Sequence, residues 1–404
     1  MAEAVLNEPG WLAARRERAA RLSGELELPV FKGRPGWEFT DLSGLELAAF
    51  EATAGGEHAE EMLEAPEQVV RVGDSAGEAT VCTLAEAADT HSELVERHLG
   101  TVVPANDPFV AANDAGWAKG LFVYVPSGAR VEAPVLATAI AGTEGTALHH
   151  RTLIVLDEGA EAEVWEQYVS SSEDGESLFN GVTEIVVGPN ANLRYVSAQG
   201  LSERSWLFAT QRAVVDRDAS LDWVALGFGS ARGRVRMETQ LRGAGAGAKV
   251  TGAYAGHARQ HLDFDTLQEH AAPNTTSDLA FRGVLNGRST AVWRGMIRVD
   301  PGAQQTDAFQ ESRNLLLSKR AHADAIPGLE IEANDVRCTH AAAIAQVDRD
   351  QLFYLMSHGL PRDQATRLVI DGFLQALVDR FAEGPLREAV SAALERRLEQ
   401  VLAA

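Results

Sequence analysis

The chain has 404 residues, of which 45% are hydrophobic, enough for roughly two or three domains with sizeable cores and too many for global disorder. Its 36 Lys+Arg against 58 Asp+Glu leave a formal charge of −22. That balance excludes a broad nucleic-acid grip, which needs clustered cations, and an acidic membrane surface would repel the chain. No apolar run approaches the ~20 residues that span a bilayer. The start, Met1 to Glu8, lacks a basic-then-apolar leader pattern, so a cytoplasmic protein is expected. Cys82 and Cys338 are the only cysteines. Two thiols make no disulfide framework and cannot fill an ordinary cluster or structural zinc site, so any such centre needs ligands from elsewhere.

In chain order, Trp11 to Leu22 reads as a short amphipathic helix and Leu84 to Leu99 as another, ended by Gly100. Between them, Thr53 to Glu67 offers few large apolar side chains and reads as a mobile loop. From about Gly120 the texture changes to short β-type runs such as Leu121-Phe122-Val123-Tyr124-Val125 and Thr183-Glu184-Ile185-Val186-Val187. Turns recur with an alanine at 129, 160, 191, 219, 246 and 303, spaced 31, 31, 28, 27 and 57, the last gap being about two periods. Recurrence at this length marks a solenoid, and strands within each repeat make it a β-helix, with a β-sandwich as the alternative. After Asp350 the pattern is helical: Gln351 to Ser357, a stop and restart at Gly359-Leu360-Pro361, and a break at Gly384-Pro385. Ile370, Leu374, Leu377 and Phe381 share one face, and Leu386, Val390, Ala393, Leu394 and Val401 another. These stripes either pack on the rest of the chain or dock a partner. The chain thus divides into an N-terminal helical and mixed region at 1–115, a β-helix core at 116–343 and a C-terminal helical domain at 344–404.

Most enzyme signatures are missing. There is no Gly-Lys dipeptide for a phosphate-cradling loop, no His-Glu-x-x-His and no Cys-x-x-Cys. Gly73-Asp74-Ser75-Ala76-Gly77 fits a nucleophile elbow but reads as a surface turn, and Gly227-Phe228-Gly229 and Gly243 to Gly247 read as tight solenoid turns. His257, His261, Asp263, Asp265 and His270 form a weak candidate cluster, because strand geometry separates the first two. His149 and His150 would lie on opposite faces of a strand and cannot readily chelate one ion, and Cys82 lacks metal-type neighbours. The most suggestive pair is Cys338 and His340, which alternation in a strand projects side by side. Thiolate and imidazole suit zinc or iron, and such a half-site could be completed across an interface. The alternative is a small buried hydrophobe beside a satisfied histidine.

Longer segments carry a resemblance. Asn274-Thr275-Thr276-Ser277-Asp278-Leu279, Phe281-Arg282-Gly283-Val284-Leu285, Trp293-Arg294-Gly295, Ala303-Gln304-Gln305-Thr306-Asp307-Ala308 and Arg313-Asn314-Leu315-Leu316-Leu317-Ser318 resemble the SufB/SufD family of iron–sulfur cluster assembly proteins. Ala323 to Ile331, Asp335-Val336-Arg337-Cys338-Thr339-His340 and Gln351 to Leu355 extend the match. Cys338-Thr339-His340-Ala341 is similar to the SufD-type rather than the SufB-type branch, although Ala341 to Ala345 replaces the family's Gly-Ala-Thr-x-Gly run. The resemblance implies a central right-handed parallel β-helix between helical regions. It also implies a non-catalytic scaffold that binds no nucleotide, pairs with SufB through the β-helices and binds the SufC ATPase at the C-terminal helices. Cys338 and His340 would then hold iron or a transient iron–sulfur cluster shared with SufB. Reduced flavin is associated with such complexes, but no flavin motif is present. A SufB-like homodimeric scaffold is the alternative, with a homodimer of the isolated chain within reach, and a polysaccharide-active β-helix enzyme is the remote one.

Overall fold

The computed structural model describes residues 8–32, 36–172 and 174–403. Residues 1–7, which carry most of the segment read as lacking a leader pattern, lie outside the described residues. Among the described residues no helix is long and apolar enough to cross a membrane.

Among the described residues the strands stack into a parallel β-solenoid with two walls, one sheet of ten strands and one of nine. Leu178–Val187, Trp206–Val215, Arg232–Leu241, His261–His270, Thr290–Val299 and His322–Ile331 follow one another in the larger wall. Asn192–Gly200, Ser220–Gly227, Gly247–Gly256, Thr276–Leu285, Thr306–Leu316 and Val336–Gln346 follow in the smaller. Alternation within each strand sends one set of side chains into the lumen and the other outward. One lumen column runs Val135, Val164, Tyr195, Trp223, Val250 and Leu279, all buried.

The turn alanines lie at one corner, each after a residue with positive φ: Gly128, Gly159, Asn190, Asp218 and Gly245. Glycine, Asn and Asp tolerate that left-handed backbone best. The missing repeat is Thr275, which follows Asn274 at φ 59° and stacks on Ala246 in register. Its hydroxyl donates to the Ala272 carbonyl at 3.1 Å, so a threonine satisfies the corner that alanine fills elsewhere. Ala303 is displaced by three residues from this column, where Thr306 stands instead. Gly229 is required by closeness: a Cβ there would lie 2.1 Å from the Leu201 carbonyl oxygen.

The helices cover the outer faces. Gly10–Glu25, Leu84–Thr90, Ser92–His98 and Pro108–Gly116 lie at the first end, where Leu12, Val95, Leu99 and Trp117 bury Phe122 and Leu153. The single helix expected from Leu84 to Leu99 is broken at His91 (φ −126°, ψ 37°), where the Thr90 hydroxyl bonds back to the Glu86 carbonyl. The segment read as a mobile loop is pinned: Leu63 is fully buried, and the Met62 and Leu63 amides donate to Gln167 Oε1 at 2.8 and 2.9 Å.

At the other end Arg349–Ser357, Arg362–Val378 and Pro385–Ala403 turn back along the smaller wall. Ile370, Leu374, Leu377, Val390, Leu394 and Val401 pack on its outward residues, among them Trp165, Val196 and Val224. Both C-terminal stripes are therefore spent on the chain's own solenoid. Arg397 bolts the last helix down, donating to the Ala255 carbonyl, Glu203 and Gln260.

Candidate functional site

Because these helices lie alongside the solenoid, they do not close its end. His322–Ile331 and Val336–Gln346 are the terminal strands of the two walls, and among the described residues no element pairs with their free edges. A rung with nothing beneath it exposes what earlier rungs bury: Leu329, Ile331 and Ile344 are 37%, 42% and 45% exposed. Unpaired edges with apolar side chains template pairing with another chain.

Cys338 and His340 both lie on this last rung. Register places Cys338 below Ala308, Ser277 and Ala248, and His340 below Gln310 at the foot of the column that begins at Val135. Both columns face the lumen, so the two side chains project together into its open mouth. Cys338 is half-buried beside Ile297, Val299 and Ala308, whereas His340 is exposed. Burial, with the Asp307 carboxylate nearby, pushes the Cys338 thiol above its ordinary pKa. Gln310, fully buried, donates through Nε2 to the Gly295 and Gly328 carbonyls at 3.1 Å each, and its buried Oε1 has no hydrogen-bond partner. Residues 341–345, Ala-Ala-Ala-Ile-Ala, continue the regular strand with no left-handed residue, so glycine is not needed there.

Two donors are half a site. Among the described residues no group of three or more His, Cys, Asp or Glu side chains is placed to hold a metal ion. A full coordination shell needs more donors than these two.

The weaker candidates separate. His257 Nε2 pairs with Glu203 at 2.6 Å, and His261 with Thr290 at 2.8 Å. Asp263 and Asp265 neutralise Arg234 at 2.7 and 2.8 Å. Fully buried His270 is held by Thr275 and Ser277, and burial lowers its pKa to about 4. His149 meets Asn180 and His150 meets Glu166, on opposite faces as alternation requires. Burial with Glu86 nearby raises the Cys82 thiol to about 11, leaving it inert. Gly73 to Gly77 is a surface turn in which the Arg71 amide donates to Asp74.

Sequence reasoning missed a second surface. A groove of about 870 Å³ lies between the last strand and the first two C-terminal helices, lined by Ala345, Leu355, Leu368 and Phe373 with Asp348 and Asp350 at its side. Phe353 and Tyr354 beside it are 74% and 62% exposed. The signal was the unbroken Leu352-Phe353-Tyr354-Leu355 run, too apolar for one buried stripe.

The fold is an uncapped β-solenoid with Cys338 and His340 side by side in its open mouth. In comparison with known families, residues 138–373 match the "SUF system FeS cluster assembly, SufBD core domain" and 68–136 the "SufBD protein N-terminal region". The chain belongs to the SufBD family of iron–sulfur cluster assembly proteins. It is a homologue of the iron–sulfur cluster assembly protein SufD of Bacillus subtilis, 32% identical over 317 residues, which is 78% of this chain and 72% of that one. A SufBD family protein of Staphylococcus saprophyticus is 31% identical over 70% of this chain and 62% of its own length. Another from Staphylococcus epidermidis is 28% identical over 91% of this chain and 85% of its own.

Proposed function

We propose that this chain is the SufD-type scaffold subunit of an iron–sulfur cluster assembly complex in the cytosol, acting without catalytic residues of its own. The observation that carries the reading is the bare last rung with Cys338 and His340 in its mouth. A SufB-type scaffold pairs with this edge, covers Leu329, Ile331 and Ile344, and supplies the ligands that this chain lacks. The nascent cluster is cargo: Cys338 and His340 hold iron or cluster from this side until it moves on. Binding must displace the Cys338 proton, which a metal ion does by stabilising the thiolate.

A SufC-type ATPase binds at the C-terminal helices, where the groove flanked by Phe353 and Tyr354 is open. Arg349–Ser357 begins three residues after the site strand ends at Gln346, so a pull on that helix is passed directly to the rung. ATP binding that favours one helix arrangement then shifts the population toward an opened rung.

Anaerobic affinity purification of the tagged chain from its own host, with partner identification and iron and sulfide analysis, tests the proposal. It predicts recovery of a second scaffold chain and an ABC-type ATPase. Recovery of only a self-paired, ATPase-bound chain would identify a homodimeric scaffold, and a lone metal-free chain would contradict both.

A further inference from the structure

A second surface runs along one corner of the solenoid and does not rest on the reading above. Trp206, Arg232, His261, Thr290 and His322 open successive strands of the larger wall in register. Two residues before each, in the turn that leads out of the smaller wall, stand Arg204, Ser230, Arg259, Arg288 and Arg320. These turns stack as the strands do: the Ala231 amide donates to the Ser205 carbonyl, His261 to Ala231, Thr290 to Gln260 and His322 to Ser289. Four arginines therefore form one column, interrupted only by buried Ser230. Rungs about 4.8 Å apart put Arg259, Arg288 and Arg320 on consecutive levels and Arg204 two levels beyond, about 19 Å from end to end.

All four side chains are exposed, and among the described residues none of their guanidinium groups makes an ion pair or a hydrogen bond. Arg204, Arg288 and Arg320 use only their backbone amides, toward Ser202, Ala258 and Ser318. Every other arginine between residues 116 and 346 is engaged through its side chain. Exposed Lys319 adds a free cation beside Arg320. The chain's own carboxylates nearby are committed: Glu203 pairs with His257 and Arg397, and Glu395 and Glu399 of the last helix pair with Arg367. Like charges stacked on adjacent rungs repel one another, so the column holds unneutralised positive charge on a chain of net charge −22.

We infer that this column is the docking site for an acidic helix of a partner protein. Each guanidinium presents a fork that matches a carboxylate through two hydrogen bonds. One helical turn rises about 5.4 Å, close to the rung spacing, so a helix laid along the corner brings about one carboxylate to each successive arginine. The column is as long as about three and a half helical turns, and beyond it the acidic surface repels a longer uniform polyanion. That bounded length favours an acidic helix over a nucleic-acid strand. Cys338 is the third residue of Val336–Gln346 and lies toward the opposite corner, so a helix seated here does not cover it.

The test is fluorescence anisotropy on the whole chain with two labelled helical peptides of equal charge. One carries its Glu residues on a single face, at spacings of about three and four residues, and the other carries the same number spread round the helix. The one-faced peptide is expected to bind at least about tenfold more tightly. Arg259→Glu with Arg288→Glu should weaken it at least about tenfold and leave the thermal melt unchanged, since both side chains already lie in water. Equal affinity for the two peptides, no binding by either, or affinity retained in the double variant overturns the site. Oligothymidylate of matched charge is the third probe: if it binds more tightly than the one-faced peptide, the column takes phosphate and the acidic helix is wrong. Should the charge reversal disturb folding, Arg259→Gln with Arg288→Gln reads the loss without adding charge. None of these readouts involves Cys338, His340 or the partner scaffold, so either proposal can fall alone.

Discussion

Replacing Ile344 by Asp separates the role of the last rung from its contribution to folding. Leu329, Ile331 and Ile344 are 37%, 42% and 45% exposed, so a partner that covers them removes about two-fifths of each side chain from water. Full burial of such a side chain contributes about 1.5–3 kcal/mol, so each covered portion contributes about 0.6–1.2 and the three together about 2–4 kcal/mol. Ile344→Asp loses one such portion and adds a desolvated, unpaired carboxylate, costing at least ~3 kcal/mol in all, or about 100-fold in Kd. In the isolated chain Ile344 is 45% exposed, so the same change also loses the buried part of its packing, about 0.8–1.7 kcal/mol, and the melt should fall by no more than that amount implies. Titration calorimetry with the partner scaffold under anaerobic conditions, beside thermal melts of the chain alone, measures both. Unchanged affinity with an unchanged melt would refute the use of this edge.

Other consequences follow from single groups. Burial holds His270 at about 4 against an unfolded value near 6.5, so the unfolded chain binds the proton first. Stability is full above pH 6.5 and falls by up to about 3 kcal/mol as pH drops toward 4, and His270→Gln should flatten that part of a melt-versus-pH series. Arg397→Met removes the guanidinium donor from the Ala255 carbonyl and Gln260 and leaves Glu203 to His257 alone. It should cost about 2–4 kcal/mol and expose the last helix to limited proteolysis well before the solenoid unfolds. The raised Cys338 thiol should react slowly with iodoacetamide at pH 7 and faster as pH rises, with docking of the partner scaffold suppressing the reaction.

The solenoid was legible because each corner demands a small residue after a left-handed one, and alanines at 129, 160, 191, 219 and 246 record that demand. Thr275 broke the count only because its hydroxyl meets the same corner by a hydrogen bond. The break at His91 carries no glycine or proline, and Leu63 is a single anchor in an otherwise polar stretch, so neither left a pattern to read. Cys338 and His340 were legible as a pair from alternation alone. Their exposure was not, because it depends on whether another strand follows, and the helical pattern after Asp350 gives no hint that those helices turn alongside the wall. Glu166 and His150 are 16 residues apart on opposing walls, a meeting that only the stacking of the rungs decides.

The central claim is that the open rung holds cargo through Cys338 and His340. Iron and acid-labile sulfide per complex, measured on anaerobically copurified assemblies of the native chain and of His340→Ala, test it most directly. The account predicts that the variant retains its partners and loses the cluster, with Cys338→Ser losing less if the imidazole is the dominant ligand. A His340→Ala complex that accumulates and delivers clusters at the native level would contradict it.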